Sequence, residues 1–208
     1  MNNIANSTNN TIVIATSNAD SISNSAENVT INAADGDDAI LNGSFLGFFF
    51  GQGFKNVVIN GGNGNDTITN NGSNAQLNGD NGNDLIFNGC YSRDVYDLID
   101  EVYDSENKSS NVTINGGAGN DTIFSYGDNV TINPGQGTNY IYTKGNNIFV
   151  DNSAGGKNII NGQDVTISDN TNNQTLYGSR NAETFQYYQG NNDVIINYSG
   201  DDTINIAQ

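Results

Sequence analysis

The fold is decided by residues 56–88, where one unit of sequence occurs twice. Residues 56–73 read NVVINGGNGNDTITNNGS and residues 74–88 read NAQLNGDNGNDLIFN, so that the second copy begins 18 residues after the first. Each copy contains a short strand with an apolar pair, a six-residue turn rich in Gly, Asn and Asp, and a second short strand. A polar return turn closes the unit. Such a unit is one coil of a solenoid.

The apolar residues keep this 18-residue period along most of the chain. In the first strand of each coil they alternate at period two, which places both members of a pair on the inner face. The predicted inward pairs are Ile12/Ile14, Val29/Ile31, Val57/Ile59, Ala75/Leu77, Val112/Ile114, Val130/Ile132, Ile148/Val150 and Val165/Ile167. The second strand contributes one inward residue per coil, namely Ile22, Ile40, Ile68, Ile86, Ile123, Ile141, Ile159 and Leu176.

Asparagine flanks the first strand on both sides. The members before it are Asn28, Asn56, Asn74, Asn111, Asn129 and Asn147, and those after it are Asn32, Asn60, Asn78, Asn115 and Asn133, with Asp151 in the next coil. Stacked side-chain amides can hydrogen-bond from coil to coil, and Asn tolerates the left-handed conformation that turns require. The sequence therefore predicts asparagine ladders along the solenoid.

Two insertions interrupt the period, and both fall at the return turn, so they should project from the same edge. The first, at about residues 41–55, contains a phenylalanine-rich run over residues 45–50. The second, at about residues 89–110, places Val95, Leu98, Ile99 and Val102 at helical spacing, which predicts a short amphipathic helix.

Composition excludes several functions. The net charge of −17, with only six Lys and Arg, is incompatible with binding a nucleic acid backbone and points to cations. There is no apolar run long enough for membrane insertion, and the N-terminus lacks the features of a secretory signal peptide. Histidine is absent, which excludes the common nucleophile–histidine pairs, and the single cysteine, Cys90, allows no internal disulfide. We expect a protein that is not an enzyme.

The residues that carry chemistry are the six-residue turns, which the period stacks on one edge. They span residues 33–38, 61–66, 79–84 and 116–121 and end in Asp38, Asp66, Asp84 and Asp121, while degenerate turns at 134–139 and 152–157 lose the aspartate. Carboxylates stacked about 4.8 Å apart repel unless a cation lies between them. Coordination by carboxylate and carbonyl oxygen fits Ca²⁺ better than Mg²⁺.

At these turns the chain resembles the RTX (repeat-in-toxin) nonapeptide family, whose pattern is Gly-Gly-x-Gly-x-Asp-x-Φ-x, where Φ is apolar. Residues 61–69 and 116–124 match every position, and residues 79–87 miss one glycine. The resemblance implies a β-roll with Ca²⁺ between successive turns, in a bacterial protein that is secreted or on the cell surface, often exported by a type I system without an N-terminal signal peptide. It also implies calcium ligands, which are Asp38, Gly61, Gly62, Gly64, Asp66, Gly79, Asn81, Gly82, Asp84, Gly116, Gly117, Gly119 and Asp121, with Glu183, Asp193 and Asp202 from the looser final coils.

The chain departs from the family in one respect. RTX rolls carry such turns on both edges, whereas the central coils here have Asn-Gly, Tyr-Gly and Lys-Gly turns on the second edge, which should reduce the number of Ca²⁺ ions. Lys157 should exclude Ca²⁺ from its own turn.

An outward aromatic column is a further candidate. Phe87, Phe124 and Tyr142 occupy equivalent positions on the second strand. They could stack on sugar rings or form a dimer contact, but a sheet surface that accommodates aromatic residues is the favoured interpretation.

The sequence thus predicts an all-β, right-handed parallel β-solenoid of the β-roll type, a single domain over residues 1–208 with about ten coils. Residues 1–167 would carry Gly-Asp turns on one edge, and residues 168–208 would form terminal RTX-like coils. The expected function is that of a calcium-binding structural or adhesive segment, with a glycan, a cell-surface protein or a second copy of the solenoid as partner. The alternative is a non-catalytic accessory module of an extracellular polysaccharide-active or hydrolytic enzyme.

Overall fold

Twenty short strands form two parallel sheets, and each coil gives one strand to each sheet. The structure is a computed structural model that describes residues 1–43, 54–89, 109–154, 158–161, 165–169, 175–177, 184–187, 194–196 and 203–206. Within those ranges there is no helix. Each sheet has ten strands, and every pairing is parallel between strands that are two apart in the chain. The predicted all-β parallel solenoid of about ten coils is confirmed.

The first sheet contains the odd-numbered strands β1 (Asn2–Asn6), β3 (Asp20–Asn24), β5 (Ala39–Asn42), β7 (Thr67–Asn70), β9 (Leu85–Asn88), β11 (Thr122–Ser125), β13 (Tyr140–Thr143), β15 (Ile159–Asn161), β17 (Thr175–Tyr177) and β19 (Val194–Ile196). The second sheet contains β2 (Ile12–Ile14), β4 (Val29–Asn32), β6 (Val57–Asn63), β8 (Ala75–Asn81), β10 (Val112–Ala118), β12 (Val130–Asn133), β14 (Ile148–Asp151), β16 (Val165–Asp169), β18 (Thr184–Tyr187) and β20 (Thr203–Ile206). The described strands β17 to β20 extend both sheets. The predicted terminal RTX-like turns of residues 168–208 lie largely outside the described residues.

The core is a set of stacked aliphatic columns between the two sheets. Strand alternation brings the apolar pairs of β4, β6, β8, β10, β12, β14 and β16 inward, where each member is buried. The isoleucines of the odd strands from Ile22 to Ile141 form the opposing column, and each lies beside its counterpart in the next coil. Burial of these columns supplies the apolar driving force for the fold.

Two predicted core assignments are wrong by one residue. In β2, Val13 is buried while Ile12 and Ile14 are 66% and 72% exposed. Asn10 occupies the left-handed position that Asn28 holds one coil later, and this equivalence aligns Val13 with Ile31. In β15, Ile160 and not Ile159 is buried beside Ile141, because the preceding turn is one residue longer than the period. The side chain of Leu176 lies outside the described part of the chain.

The asparagine ladders are confirmed. The asparagines before the even-numbered strands β2 to β14 have a left-handed backbone, with φ between 55° and 58°. They are Asn10, Asn28, Asn56, Asn74, Asn111, Asn129 and Asn147. In each of these after Asn10, the side-chain amide donates to the Oδ1 of the preceding coil over 2.8–3.3 Å. A second ladder joins Asn32, Asn60, Asn78, Asn115 and Asn133 with bonds of 2.6 Å. It ends before Asp151, which has no side-chain N–H to donate to Asn133.

A third asparagine ladder, absent from the sequence prediction, is fully buried at the end of the odd strands. Asn24, Asn42, Asn70 and Asn88 are joined amide to carbonyl over 2.8 Å, and Asn88 donates to Ser125 Oγ over 3.2 Å. The amide of Asn70 also donates to the Gly72 carbonyl oxygen at 2.8 Å. The ladder thereby satisfies polar groups of the return turn inside the solenoid.

Both insertions lie between an odd strand and the following even strand, as predicted. The first follows β5, which extends to Asn42, and the second follows β9 and ends before Ser109, which is buried. The phenylalanine-rich run, the predicted helix over residues 95–102 and Cys90 lie outside the described residues. In the part of the chain that the structure describes, no helix is long and apolar enough to cross a membrane.

Candidate metal centre

One residue from each of seven successive coils belongs to a continuous column inside one edge of the solenoid. The turn predicted at 152–157 contributes Asn158, one residue beyond its predicted end, because the chain is one residue longer there. The column contains Asp20, Asp38, Asp66, Asp84, Asp121, Asn139 and Asn158, all buried. From Asp20 to Asn139, each backbone N–H donates to the Oδ1 of the next coil's member over 2.7–3.2 Å. The predicted alignment of Asp38, Asp66, Asp84 and Asp121 on one edge is therefore present, and insertions between coils do not disturb it.

The second carboxylate oxygen of four aspartates has no partner. Oδ2 of Asp38, Asp66, Asp84 and Asp121 is buried and accepts no hydrogen bond. An unpartnered buried carboxylate oxygen carries a large desolvation cost unless it is protonated or lies beside a cation. The column thus contains four successive carboxylates that a bound proton or cation would stabilise.

Main-chain oxygens face these orphaned atoms. A Cβ built on Gly61 would lie 2.4 Å from Asp66 Oδ2 and 2.7 Å from the Gly79 carbonyl oxygen. At Gly79 the corresponding distances are 2.3 Å to Asp84 Oδ2 and 2.5 Å to the Gly116 carbonyl oxygen. A carboxylate oxygen of one coil and a carbonyl oxygen of the next thus converge beside Gly61 and Gly79, where a side chain would crowd both oxygens. The turn at 33–38 has Ala33 at the equivalent position.

The N-terminal end of the column is closed by hydrogen bonds. Asp20 Oδ2 accepts from the backbone N–H and the hydroxyl of Thr16, both at 2.8 Å, and its Oδ1 accepts from the Asn2 amide at 2.8 Å. Asp20 was not among the predicted site residues. The signal that could have revealed it is its spacing of 18 residues from Asp38. Because all its lone pairs have donors, Asp20 needs no cation.

After Asp121 the column continues with a side-chain amide in place of a carboxylate. Asn139 holds the same register position as the aspartates, and its Oδ1 accepts from the Asp121 N–H at 2.8 Å. Its Nδ2 takes the place of the orphaned Oδ2 and donates to the Gly135 carbonyl oxygen over 3.4 Å. At Asn139 a donor thus faces main-chain oxygen. Where the column carries an aspartate, an acceptor stands in that position.

The pKa of each aspartate in the column depends on whether its Oδ2 has a hydrogen-bond donor. Burial raises the pKa of Asp66 to about 6 and that of Asp84 to about 7, with the neighbouring aspartates adding to the effect. Burial also raises the pKa of Asp38 and Asp121. The hydrogen bond from the Thr16 backbone lowers the pKa of Asp20 instead. The four orphaned aspartates are therefore the members that favour a bound proton or a bound cation.

Several of the predicted ligand residues have a conformation that the turn requires. Gly62, Gly64, Gly82, Gly117 and Gly119 have φ between 107° and 143°, a range that glycine alone tolerates readily. Their coils stack so closely that a Cβ on Gly82 would lie 1.7 Å from the Gly64 carbonyl oxygen. The Asn81 side chain donates to Asn63 Oδ1 over 2.9 Å on the exposed surface of the turn. These residues shape the turns, and the orphaned oxygens of Asp66, Asp84 and Asp121 lie beside the first glycine of their turns.

The candidate ligands of the final coils, Glu183, Asp193 and Asp202, lie outside the described residues, and so does Lys157. Among the described residues, no three acidic side chains converge on one point. A metal centre in this column would therefore combine carboxylates of neighbouring coils with main-chain carbonyl oxygen.

The predicted aromatic column is aligned on β9, β11 and β13, but its member Phe87 is buried. The rings of Phe87 and Phe124 are stacked, with centroids 5.4 Å apart and planes 9° from parallel, and Tyr142 is tilted against Phe124 at 6.3 Å. Because the stacked rings turn one face toward each other, those faces are not accessible to a sugar. The arrangement supports the interpretation as cross-strand packing on a sheet surface.

Comparison with known proteins provides no relative of this chain: no family model, no curated protein and no solved structure matches it.

Proposed function

We propose that this chain is a calcium-binding structural segment in which Ca²⁺ ions lie inside the turn edge, between the aspartates of successive coils. The ligands would be Oδ2 of Asp38, Asp66, Asp84 and Asp121 together with main-chain oxygens such as those of Gly79 and Gly116. The ion would neutralise buried carboxylates and join neighbouring coils. Its role is to stabilise the solenoid, not to activate a substrate.

The observation that supports this proposal is the contrast between the aspartates and Asn139. In both residue types Oδ1 accepts a hydrogen bond from the backbone N–H of the preceding member of the column. Only the asparagine supplies a donor to the adjacent carbonyl oxygen. The aspartates leave two kinds of acceptor facing each other. A bound cation resolves this repulsion, and an all-oxygen, flexible ligand set suits Ca²⁺ better than Mg²⁺, which requires stricter octahedral geometry.

The proposed setting is extracellular, where calcium is plentiful. The resemblance of the turns to RTX repeats and the net charge of −17 both favour a secreted or cell-surface bacterial protein. The segment would serve as a rigid structural or adhesive element. The role of an accessory module that binds glycans has weaker support, because the stacked aromatic rings turn a face toward each other.

A calcium titration of the metal-free chain tests the proposal. Calcium should raise the melting temperature and release heat on binding, whereas magnesium at the same concentration should have a smaller effect. Asp84→Ala removes a ligand between two neighbouring coils and should abolish much of the calcium response. Glu27→Ala is the control, because Glu27 is an exposed acid on the opposite edge of the solenoid. A chain whose melting temperature and heat signal do not respond to calcium would exclude the proposed function.

A further inference from the structure

The third asparagine ladder continues beyond Asn88 with two hydroxyl side chains. In the register of the first sheet Ser125, at the end of β11, lies beside Asn88, and Thr143, at the end of β13, lies beside Ser125. Ser125 is 0% exposed and Thr143 is 2% exposed, so both positions are buried like the asparagines before them. The column therefore changes from amides to hydroxyls inside the solenoid.

In the earlier coils the side-chain amide nitrogen of the ladder donates two hydrogen bonds. One reaches the Oδ1 of the next coil, and the other reaches a main-chain carbonyl oxygen of the return turn. For Asn70 these acceptors are Asn88 Oδ1 and the Gly72 carbonyl oxygen, both at 2.8 Å. Asn24 and Asn42 make the same pair of bonds over 2.8–3.1 Å. The nitrogen thus joins two coils and also satisfies a carbonyl oxygen of its own turn.

Ser125 supplies only part of this pattern. Its Oγ accepts a hydrogen bond from the Asn88 amide over 3.2 Å, as an Oδ1 does in the earlier coils. A serine side chain has no group in the place of the amide nitrogen. Ser125 therefore replaces the oxygen of the asparagine carboxamide but not its nitrogen.

The carbonyl oxygen that this nitrogen would reach is that of Gly127. Gly127 is buried and follows Ser125 at the same spacing at which Gly72 follows Asn70. Among the described residues, no backbone N–H donates to the Gly127 carbonyl oxygen. It is therefore an acceptor without the donor that the earlier coils provide.

The second acceptor of the nitrogen would be the hydroxyl of Thr143. Thr143 Oγ1 is buried and has no hydrogen-bond partner. Native proteins satisfy most buried polar atoms with a protein group or an ordered water. The Ser125 hydroxyl, the Gly127 carbonyl oxygen and Thr143 Oγ1 thus surround the position that an amide nitrogen would hold.

We propose that an internal water molecule binds at this position, between β11 and β13, and continues the buried ladder. The water accepts a hydrogen bond from the Ser125 hydroxyl and donates to the Gly127 carbonyl oxygen and to Thr143 Oγ1. Buried waters typically make about three such bonds to polar groups that have no other partner. Water fits better than a cation, because the three groups are uncharged and one of them is a donor. The site lies at the return turn, on the opposite edge from the aspartate column, and does not depend on calcium.

Ser125→Asn tests the position of the water. The asparagine restores the amide nitrogen, so it should expel the water and raise the melting temperature by about 2–4 °C, because a direct bond replaces an immobilised molecule. Ser23→Asn introduces the same side chain at an exposed position of β3 and should have a smaller effect. A lower melting temperature for Ser125→Asn than for the wild type overturns the proposal.

Thr143→Val provides an independent test that depends on the sign of the change. Valine keeps the shape of threonine but cannot accept a hydrogen bond. With the water in place, the substitution removes one of its partners and should lower the melting temperature by about 3 °C. If Thr143 Oγ1 had no partner, its removal would relieve a desolvation penalty and raise the melting temperature, and that result overturns the proposal.

A high-resolution crystal structure locates the water directly. The wild type should show a solvent peak about 2.6–3.2 Å from Ser125 Oγ, the Gly127 carbonyl oxygen and Thr143 Oγ1. In Ser125→Asn the side-chain nitrogen should occupy the place of that peak. A wild-type electron density map without a peak at this position overturns the proposal.

Discussion

Asp84→Asn should stabilise the metal-free chain and weaken its response to calcium. The substitution keeps Oδ1 as the acceptor of the Asp66 N–H, a bond of 2.8 Å. It replaces the orphaned Oδ2 with a donor, as Asn139 does naturally one turn beyond Asp121. The new amide can donate to the carbonyl oxygen four residues earlier, which is that of Asp80.

The magnitude follows from the pKa of Asp84, which burial raises from 3.8 to about 7. An acid whose pKa is higher in the folded state destabilises that state above its unfolded pKa, and the full penalty is present above pH 7. Three pKa units correspond to roughly 4 kcal/mol at about 1.4 kcal/mol per unit, which is an upper estimate. A gain of about 2–4 kcal/mol at pH 8 would raise the melting temperature of a chain of this size by roughly 5–10 °C.

The assay is thermal unfolding at pH 8, with chelator and with excess calcium. Asp84→Asn should melt above the wild type in chelator, and its further rise in calcium should be smaller than that of the wild type. Glu27→Gln makes the same change of charge on an exposed side chain at the opposite edge of the solenoid and should show neither effect. A variant that is destabilised in chelator would refute the reasoning, because Oδ2 would then have a stabilising partner in the metal-free chain.

Three further results are expected. Asn70→Ala removes hydrogen bonds to Asn42, Asn88 and Gly72 in the buried ladder, so it should reduce the free energy of unfolding in urea by about 2–4 kcal/mol. A smaller loss than that of the exposed control Asn63→Ala would contradict this. Ala34 has φ of 82° at the position that Gly62 holds one coil later, so Ala34→Gly should raise that free energy by about 1 kcal/mol, and a decrease would show that the backbone is not strained there. The metal-free wild type should become less stable between pH 4 and pH 8, because Asp66 and Asp84 hold protons more tightly when folded; calcium should flatten this dependence, and a pH-independent melting temperature in chelator would contradict it.

The repeated pattern was sufficient to predict the solenoid. The 18-residue period with alternating apolar residues determines the parallel stacking, and both insertions occur where the period predicted them. The errors arose where the period alone was ambiguous. In β2, three consecutive apolar residues allow either alternation, and the left-handed Asn10 decides in favour of Val13. At Ile160 an extra residue in the turn shifts the strand.

Less of the candidate site than of the fold could be predicted from the sequence. The aspartate positions followed from the motif, but their inward direction depends on the bond from each backbone N–H to the next Oδ1. The closure of the column by Thr16 and Asn139 likewise depends on side-chain geometry. The buried ladder through Asn70 remained unrecognised because asparagine in so polar a chain gives no burial signal.

The most direct measurement is a crystal structure of the chain grown in excess calcium, with anomalous scattering data collected to locate the ion. The account predicts anomalous density inside the turn edge between Asp66 and Asp84 and between Asp84 and Asp121. Each peak should have carboxylate Oδ2 and main-chain oxygen ligands at about 2.3–2.6 Å. A well-ordered calcium-grown crystal with no density between these aspartates, and with Oδ2 bonded to a protein donor, would contradict it.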